Sequence, residues 1–179
     1  MCQSIKTTID IAELRKTLGV WTTGVAVAST RGADGSPVGM TINSLVSISL
    51  DPPLLGWCID RRSASFDVFS RCSDFLISVL GHDQADLARR FATRGADKFA
   101  DIEEIEEKGA AGSVPRIPGA IAWIRCRLYR CIPLGDHLML VGEVQDFAAG
   151  GCSPLVFSRG ALVSTAVVGG AAQAPISAS

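Results

Sequence analysis

One stretch, Val38 to Pro53, constrains the fold more than any other part of the chain. Val38, Met40, Ile42, Val46, Ile48 and Leu50 fall on one side at period two, the pattern of a half-buried β-strand. The opposite side carries Gly39, Thr41, Asn43, Ser47 and Ser49. At Ser44-Leu45 the two faces swap, which predicts a bulge or sharp twist inside one long strand over 38–50. Pro52-Pro53 then stops the run, because proline brings no N–H to a ladder. A strand with one apolar face and one face of hydroxyls, amide and bare backbone suits a flat ligand with polar edges.

The flanking segments are mostly strands as well. Asp10 predicts the N-cap of a helix through Leu18, with Ile11, Leu14 and Leu18 on one face and Gly19 as its stop. Thr23 to Thr30 reads as a strand, and the turn Ala33-Asp34-Gly35-Ser36-Pro37 returns the chain into strand 38–50 as a hairpin. Leu54 to Asp60 is a nearly continuous apolar run, so it predicts a strand buried on both sides. Ser63 or Ser65 caps a short helix carrying Phe66 and Phe69, and Phe75 to Leu80 is another strand. Asp83 opens a helix with Leu87, Ala88 and Phe91 on one side, and Asp101 to Glu107 reads as a solvated acidic helix. Two long strands, Ala120 to Cys131 and His137 to Phe147, are joined through Ile132 to Asp136, and Leu155 to Val167 adds one or two more.

The expected layout is an N-terminal extension over 1–9, one domain over 10–168, and a disordered Ala-, Ser- and Gly-rich tail over 169–179. Strands dominate, helices are short, and no alternating β-α-β series is present. The prediction is a mainly β fold, a small closed barrel with short helices over its ends. No G-x-G-x-x-G follows a strand, so a Rossmann dinucleotide site is not supported.

At 179 residues the chain has room for one domain with a real core. A net charge of −1 gives no reason to expect nucleic acid or an anionic membrane as partner. No segment approaches the ~18 continuous apolar residues that span a bilayer, and Met1 to Asp10 lacks the apolar region of a secretory signal. The six cysteines are scattered without a C-x-x-C pair, and only two histidines accompany them. That spacing argues against a zinc site or disulfide framework and for small apolar thiols in a reducing cytoplasm.

Several motifs, in order, carry a family resemblance. Thr22-Thr23-Gly24-Val25-Ala26-Val27, Gly39-Met40-Thr41-Ile42-Asn43-Ser44 and Ser47-Ile48-Ser49-Leu50-Asp51-Pro52-Pro53 open the set. Phe75-Leu76-Ile77-Ser78-Val79-Leu80, Leu87-Ala88-Arg89-Arg90-Phe91, Ala96-Asp97-Lys98-Phe99, Gly135-Asp136-His137 and Gly142-Glu143-Val144 complete it. From about Leu14 to Gly160 the chain resembles the short flavin reductases, which supply reduced flavin to two-component monooxygenases. Ala96 to Phe99 is similar in particular to the reductases of aromatic polyketide tailoring.

The resemblance implies an FMN-binding split β-barrel, a homodimer with flavin at the subunit interface, and a separate monooxygenase reached by diffusion. It implies FMN or FAD as flavin and NADH or NADPH as hydride donor. Met40, Thr41, Ile42, Asn43, Ser44 and Ser49 would meet the ring edge and ribityl chain, with Cys58, Ile59 and Asp60 along the same groove. Ser63 and Ser65 would meet the flavin phosphate at a helix start, where free N–H groups favour an anion. Phe91 is also a core-facing helix residue, Phe99 faces the groove, and Arg159 reaches a phosphate or stays on the surface. His137 is the residue expected beside the nicotinamide, whereas His82 reads as a helix-entry residue. Ser158 stands where the family often has an aromatic residue or histidine.

Hydride transfer needs no protein nucleophile, in keeping with the lack of a triad, carboxylate dyad or metal cluster in the sequence. Two other readings keep the fold: an oxidase or tailoring enzyme that retains its flavin, and a non-catalytic flavin- or haem-binding protein. Tightly copurified flavin without NADH turnover would mark the first, and a haem spectrum or no redox turnover the second.

Overall fold

The computed structural model describes residues 9–102, 105–109, 112–151 and 153–165. Helix α1 spans Ile11–Leu18, and the Asp10 carboxylate accepts from the N–H groups of Ala12 and Glu13 at 2.8 and 3.2 Å, as an N-cap should. The helix buries none of its residues; Ile11, Leu14 and Leu18 share their exposure with Val20 and Trp21.

The strands are β1 (Thr23–Gly24), β2 (Ala26–Arg31), β3 (Pro37–Ile42), β4 (Val46–Leu50), β5 (Pro53–Asp60) and β6 (Asp74–Val79). After them come β7 (Ile105–Gly109), β8 (Gly112–Arg116), β9 (Ala122–Leu134), β10 (His137–Ala149), β11 (Leu155–Ser158) and β12 (Ala161–Ser164). Two further helices, α2 (Phe66–Phe69) and α3 (Ala85–Ala92), flank β6 in the chain. Seven strands form one sheet in the order β3-β2-β6-β9-β10-β5-β4, with every neighbouring pair antiparallel. A second sheet runs β1-β11-β12, and β7 pairs with β8 alone.

The expected single strand over 38–50 is two strands. β3 and β4 follow each other in sequence yet lie at opposite edges of the seven-stranded sheet. Laid flat, those edges would stand about 29 Å apart at ~4.8 Å per strand. Asn43-Ser44-Leu45 is the whole link, and three residues reach at most about 14 Å from Ile42 to Val46. The sheet is therefore rolled, and the swap of faces at Ser44-Leu45 marks the crossing from one edge to the other. Cys58 of β5 donates its N–H to Ser44 Oγ at 3.0 Å, which pins the crossing to the far edge.

Rolling buries both sides of the central strands. Ala26 and Ala28 of β2 join Trp57, Phe69, Phe75, Ile77 and Leu140 in one core, and Trp57 meets Phe69 edge to face at 4.9 Å. Val27 of β2, with Val25 before it, joins Leu80, Ala88, Phe91, Ile117 and Leu155 in a second core, so alternate residues serve alternate cores. The price of two-sided burial is that hydroxyls inside need partners: Ser29 Oγ donates to Pro115 O, Thr30 Oγ1 to Asp74 O, and Ile117 N donates to Ser78 Oγ.

Three further expectations are corrected. Among the described residues of 101–107 there is no acidic helix: Asp101 holds a left-handed φ of +56° and Ile105 onward pairs as β7 with β8, Ile105 opposite Arg116. Helix α3 is preceded by Gln84 rather than opened by Asp83; the Gln84 side chain accepts from Gly81 N and donates to Pro118 O, tying two loops together. β9 continues to Leu134, so only Gly135-Asp136 separate it from His137, with Gly135 at φ +58°. The extension over 1–8 and the tail over 169–179 lie outside the described residues. Among the described residues no helix is long and apolar enough to cross a membrane.

Gly142 lets β10 approach the core closely: an added Cβ would stand 2.7 Å from Cys126 Cβ and nearer still to the Phe75 ring. Both neighbours are fully buried. Gly142→Ala should therefore destabilise the domain by about 1–3 kcal/mol through overpacking, read as a lower midpoint in urea unfolding with the m-value kept.

Candidate functional site

A groove of about 660 Å³ lies along edge strand β3. Met40 and Thr41 line it from the strand, Ser63 and Ser65 from the β5–α2 turn, and Phe91 and Phe99 from α3 and the segment after it. Six of the residues singled out from the sequence thus meet in one place.

Local chemistry explains each placement. Thr41 Oγ1 donates to the Ala88 carbonyl at 2.7 Å, which fixes α3 against β3. Phe91 and Phe99 pack edge to face at 5.0 Å, and Gly39 makes room for them, since a Cβ there would stand 2.7 Å from Phe91 Cε1 and 3.2 Å from Phe99 Cζ. Ser63 N donates to Asp60 O, and Ser63 Oγ accepts from Ser65 N at 3.3 Å. Ser65 lines the groove at the N-cap of α2 without bonding its side chain to the helix.

A second cluster gathers where β5 ends and β10 begins. Asp60 and His137 are directly paired across the ladder. His137 Nδ1 lies 2.7 Å from Asp136 Oδ1, and Arg61 N donates to Asp136 O at 3.0 Å. Asp60 accepts from Arg62 three times, from the backbone N–H, Nε at 3.2 Å and a terminal nitrogen at 2.8 Å. Those bonds hold the Asp60 carboxyl well below the usual carboxylate range, and the His137 bond lowers Asp136 in the same direction. Arg62 also lines the groove, so this cluster adjoins the first.

The remaining residues fall elsewhere. Asn43 is exposed and lines a smaller cavity of about 230 Å³ with Ile42, Trp21, Thr22 and Thr23. Thr23 Oγ1 is buried there with no hydrogen-bond partner among the described residues. Ser44 bonds Cys58, whose thiol is pushed up by burial. Ile42, Ile59 and Phe91 are core side chains, at most 5 % exposed, so Ile42 and Ile59 can offer a ligand only main chain and Phe91 only a packed wall. Ser49 lies on the other edge, in an apolar groove with Val46, Leu50, Leu54 and Phe147. Arg159 is drawn away: at φ +51° in the β11–β12 turn, its N–H donates to Gly19 O at 2.7 Å. Ser158 Oγ accepts from Thr22 Oγ1 at 2.9 Å, a structural tie to the segment after α1.

Sequence reasoning passed over Arg62, Arg94 and Lys98 as individual site residues, yet all three line the groove. Lys98 Nζ donates to Gly39 O at 3.0 Å, and burial lowers its pKa. Their signal was available: Lys98 lies inside one of the matched motifs, but a lone arginine or lysine reads as solvated surface.

The donor set fits a phosphorylated, flat-ringed ligand. Cations and free hydroxyls stand in the groove, and β3 runs from there to Asn43 and the unpartnered Thr23 hydroxyl about three residues, or ~10 Å, further on. Among the described residues no three His, Cys, Asp or Glu gather as for a metal.

Comparison with known proteins agrees. The flavin reductase like domain matches residues 18–166, and the chain belongs to this family. It is 43 % identical over 148 residues to FMN reductase (NADH) SmoA of Agrobacterium fabrum, covering 82 % of each chain. It is 37 % identical over 156 residues to the reductase component of flavin-dependent trigonelline monooxygenase of Acinetobacter baylyi, covering 87 % of this chain and 49 % of that one. The chain thus spans about half the length of that relative. The structure of the Streptomyces globisporus NADH:FAD oxidoreductase SgcE6, in complex with NAD and FAD fragments, superposes with a TM-score of 0.79 at 32 % identity, covering 89 % of this chain and 94 % of that one.

The Asp60 carboxyl should titrate below its ordinary 3.8 in the folded protein. Its folded pKa is depressed, so the Asp60–Arg62 pair persists above that ordinary value and is lost only as pH falls through the lower one. Carboxyl-carbon NMR titration checks this, and Arg62→Ala should move the midpoint up toward the ordinary range, the bond from the residue 62 N–H remaining.

Proposed function

We propose that this protein is an NAD(P)H-dependent flavin reductase that passes reduced FMN or FAD to a separate monooxygenase. The observation that carries the reading is the groove along β3, where Ser63, Ser65, Lys98 and Phe99 converge within a chain that matches the family over residues 18–166. The chemistry is supplied by nicotinamide and flavin, which exchange a hydride when held face to face. The chain's task is to bind and orient them. Ser63, Ser65 and Lys98 hold the flavin phosphate; Asn43, Ser44 and the main chain of Ile42 and Cys58 meet the ring edge. His137, its Nδ1 held by Asp136, presents Nε2 to the nicotinamide side. Arg62, forked onto Asp60, keeps the end of β5 rigid between the two.

The rolled seven-stranded sheet supports a split β-barrel with short helices over its ends. A cytoplasmic homodimer completes the proposal. Exposed apolar side chains of β4 and β10 support the dimer: Leu50 is 88 % exposed and Phe147, lining the same groove, 69 %, and Val46 and Ile48 are exposed as well. Similarity over Ala96–Phe99 makes tailoring of an aromatic polyketide the partner chemistry to test first.

The deciding experiment is NADH or NADPH oxidation by purified protein with and without added FMN or FAD, the absorption spectrum of the isolated protein being recorded first. Turnover that depends on added flavin is expected; tightly held flavin without nicotinamide oxidation would defeat the proposal. His137→Ala should lower kcat/KM for NADH about 10-fold to 100-fold through lost orientation, while stability stays within about 0.5 kcal/mol of the parent. Leu50→Asp with Phe147→Asp should convert a dimer to a monomer in light scattering, and an unchanged mass would remove β4 from the interface.

A further inference from the structure

A second cavity, about 420 Å³, opens beside α2 and shares no lining residue with the groove along β3. Its volume falls among pockets that hold a small-molecule ligand. The end of β2, α2, the start of β6 and β8 enclose it.

Asp74 lines this cavity and is only 5 % exposed, yet its Oδ1 is buried with no hydrogen-bond partner among the described residues. A carboxylate oxygen buried without a donor is costly, and the cost falls away when a donor arrives from outside the chain. The neighbours that could have answered it are spent elsewhere. Thr30 Oγ1 donates to the Asp74 carbonyl, not to its carboxylate. Arg31 gives Nε to Ser113 O at 3.1 Å and a terminal nitrogen to Gly35 O at 2.9 Å. Arg127, opposite Asp74 across the ladder and attracted by its charge, donates to Glu143 at 2.6 Å. Burial also pushes the thiol of Cys72, another lining residue, up to about 12, so this end of the cavity is poorly solvated. Opposite charges attract more strongly in such surroundings.

The lining carries both signs, Arg31 and Arg71 against Asp67 and Asp74, which suits a ligand that carries both signs as well. Arg71 is exposed, and its side chain bonds to no group among the described residues. Its guanidinium fork is therefore available to a carboxylate. Ala33, Val68 and Val114 supply an aliphatic wall. Among the described residues no three His, Cys, Asp or Glu gather as for a metal, which leaves an ammonium as the cation that Asp74 lacks.

We propose that this cavity binds a small aliphatic amino acid, its ammonium on Asp74 and its carboxylate on Arg71. An ammonium brings three donors and so satisfies Oδ1 with two to spare. The inference stands apart from the flavin reductase reading, because no residue assigned to flavin or nicotinamide lines this cavity.

L-Leucine is titrated by calorimetry against the full chain, Asp74→Asn and Arg71→Ala, with isopentylamine and isocaproate as its two half-ligands and the melting temperature followed in parallel. The parent should bind leucine and melt higher as leucine is added. Each half-ligand should bind at least about tenfold more weakly, having lost one of the two charged contacts. Asp74→Asn should weaken leucine about tenfold or more, and Arg71→Ala about threefold to tenfold. Arg71 is on the surface, so its variant keeps the test open if Asp74→Asn does not fold. No binding of leucine by the parent overturns the site and leaves the Asp74 oxygen to water. Isopentylamine binding as tightly as leucine overturns the zwitterion, as does unchanged leucine affinity in Arg71→Ala. Unchanged affinity in a folded Asp74→Asn removes the carboxylate from the site and overturns the proposal.

Discussion

Three residues joining opposite edges of a seven-stranded sheet are the constraint on which the rest depends. Asn43-Ser44-Leu45 is too short to reach across a flat sheet, so the strands between must curl. Curling gives β2 and β6 two buried faces and so creates two cores in place of one. It also puts the link itself at the surface, with Asn43 and Ser44 exposed and Ser44 bonded to Cys58. The residues that close the fold and those assigned to ligand recognition are therefore the same few. A change there would act on topology and binding together.

The polar groups divide into those that hold the structure and those left for a ligand. Ser29, Thr30 and Ser78 spend their hydroxyls inside, on carbonyls or an N–H of neighbouring segments. Asp60 with Arg62, and Asp136 with His137, are bound as two pairs at the β5–β10 end. By contrast, among the described residues the Ser65 and Arg94 side chains carry no such partner, and Lys98 has donors to spare. A redox site of this kind needs little else from its protein, because the bond changes belong to the bound molecules and the chain supplies position and field.

Much of the fold was legible in the sequence, and the failures share a cause. The Asp10 cap, the β2–β3 hairpin and the strands at 53–60 and 74–79 follow from local pattern, because capping and period-two burial act over a few residues. Strand 38–50 could not be divided from pattern alone: after the swap at Ser44-Leu45 the apolar period resumes in its old phase at Val46, and only the distant pairing of Val46 with Gly56 shows that the chain has changed edges. The segment after Asp101 failed in the same way, since its pairing with Gly112–Arg116 overrides a composition that favours helix. At the site, residue types identified Asn43, Ser63 and Ser65 as polar positions. They could not separate Ser49 and Arg159 from the groove, because which edge or turn a side chain reaches is a property of the rolled sheet.

Gly39 shows how closely groove and core are joined. Its missing side chain admits the Phe91 and Phe99 rings, its carbonyl orients Lys98, and the next residues, Met40 and Thr41, form the groove wall. Phe91 is fully buried in the second core, so the wall that faces a ligand is backed directly by packed aromatic rings. A wall of that kind moves little, because close-packed interiors resist deformation. Rigidity matters for a site that must bring two flat ring systems into register, since small displacements cost rate steeply. The close packing beneath β3 is thus part of how the site is built: Val38, Met40 and Ile42 pack toward the first core, while Gly39 and Thr41 meet Phe91 and α3 at the groove.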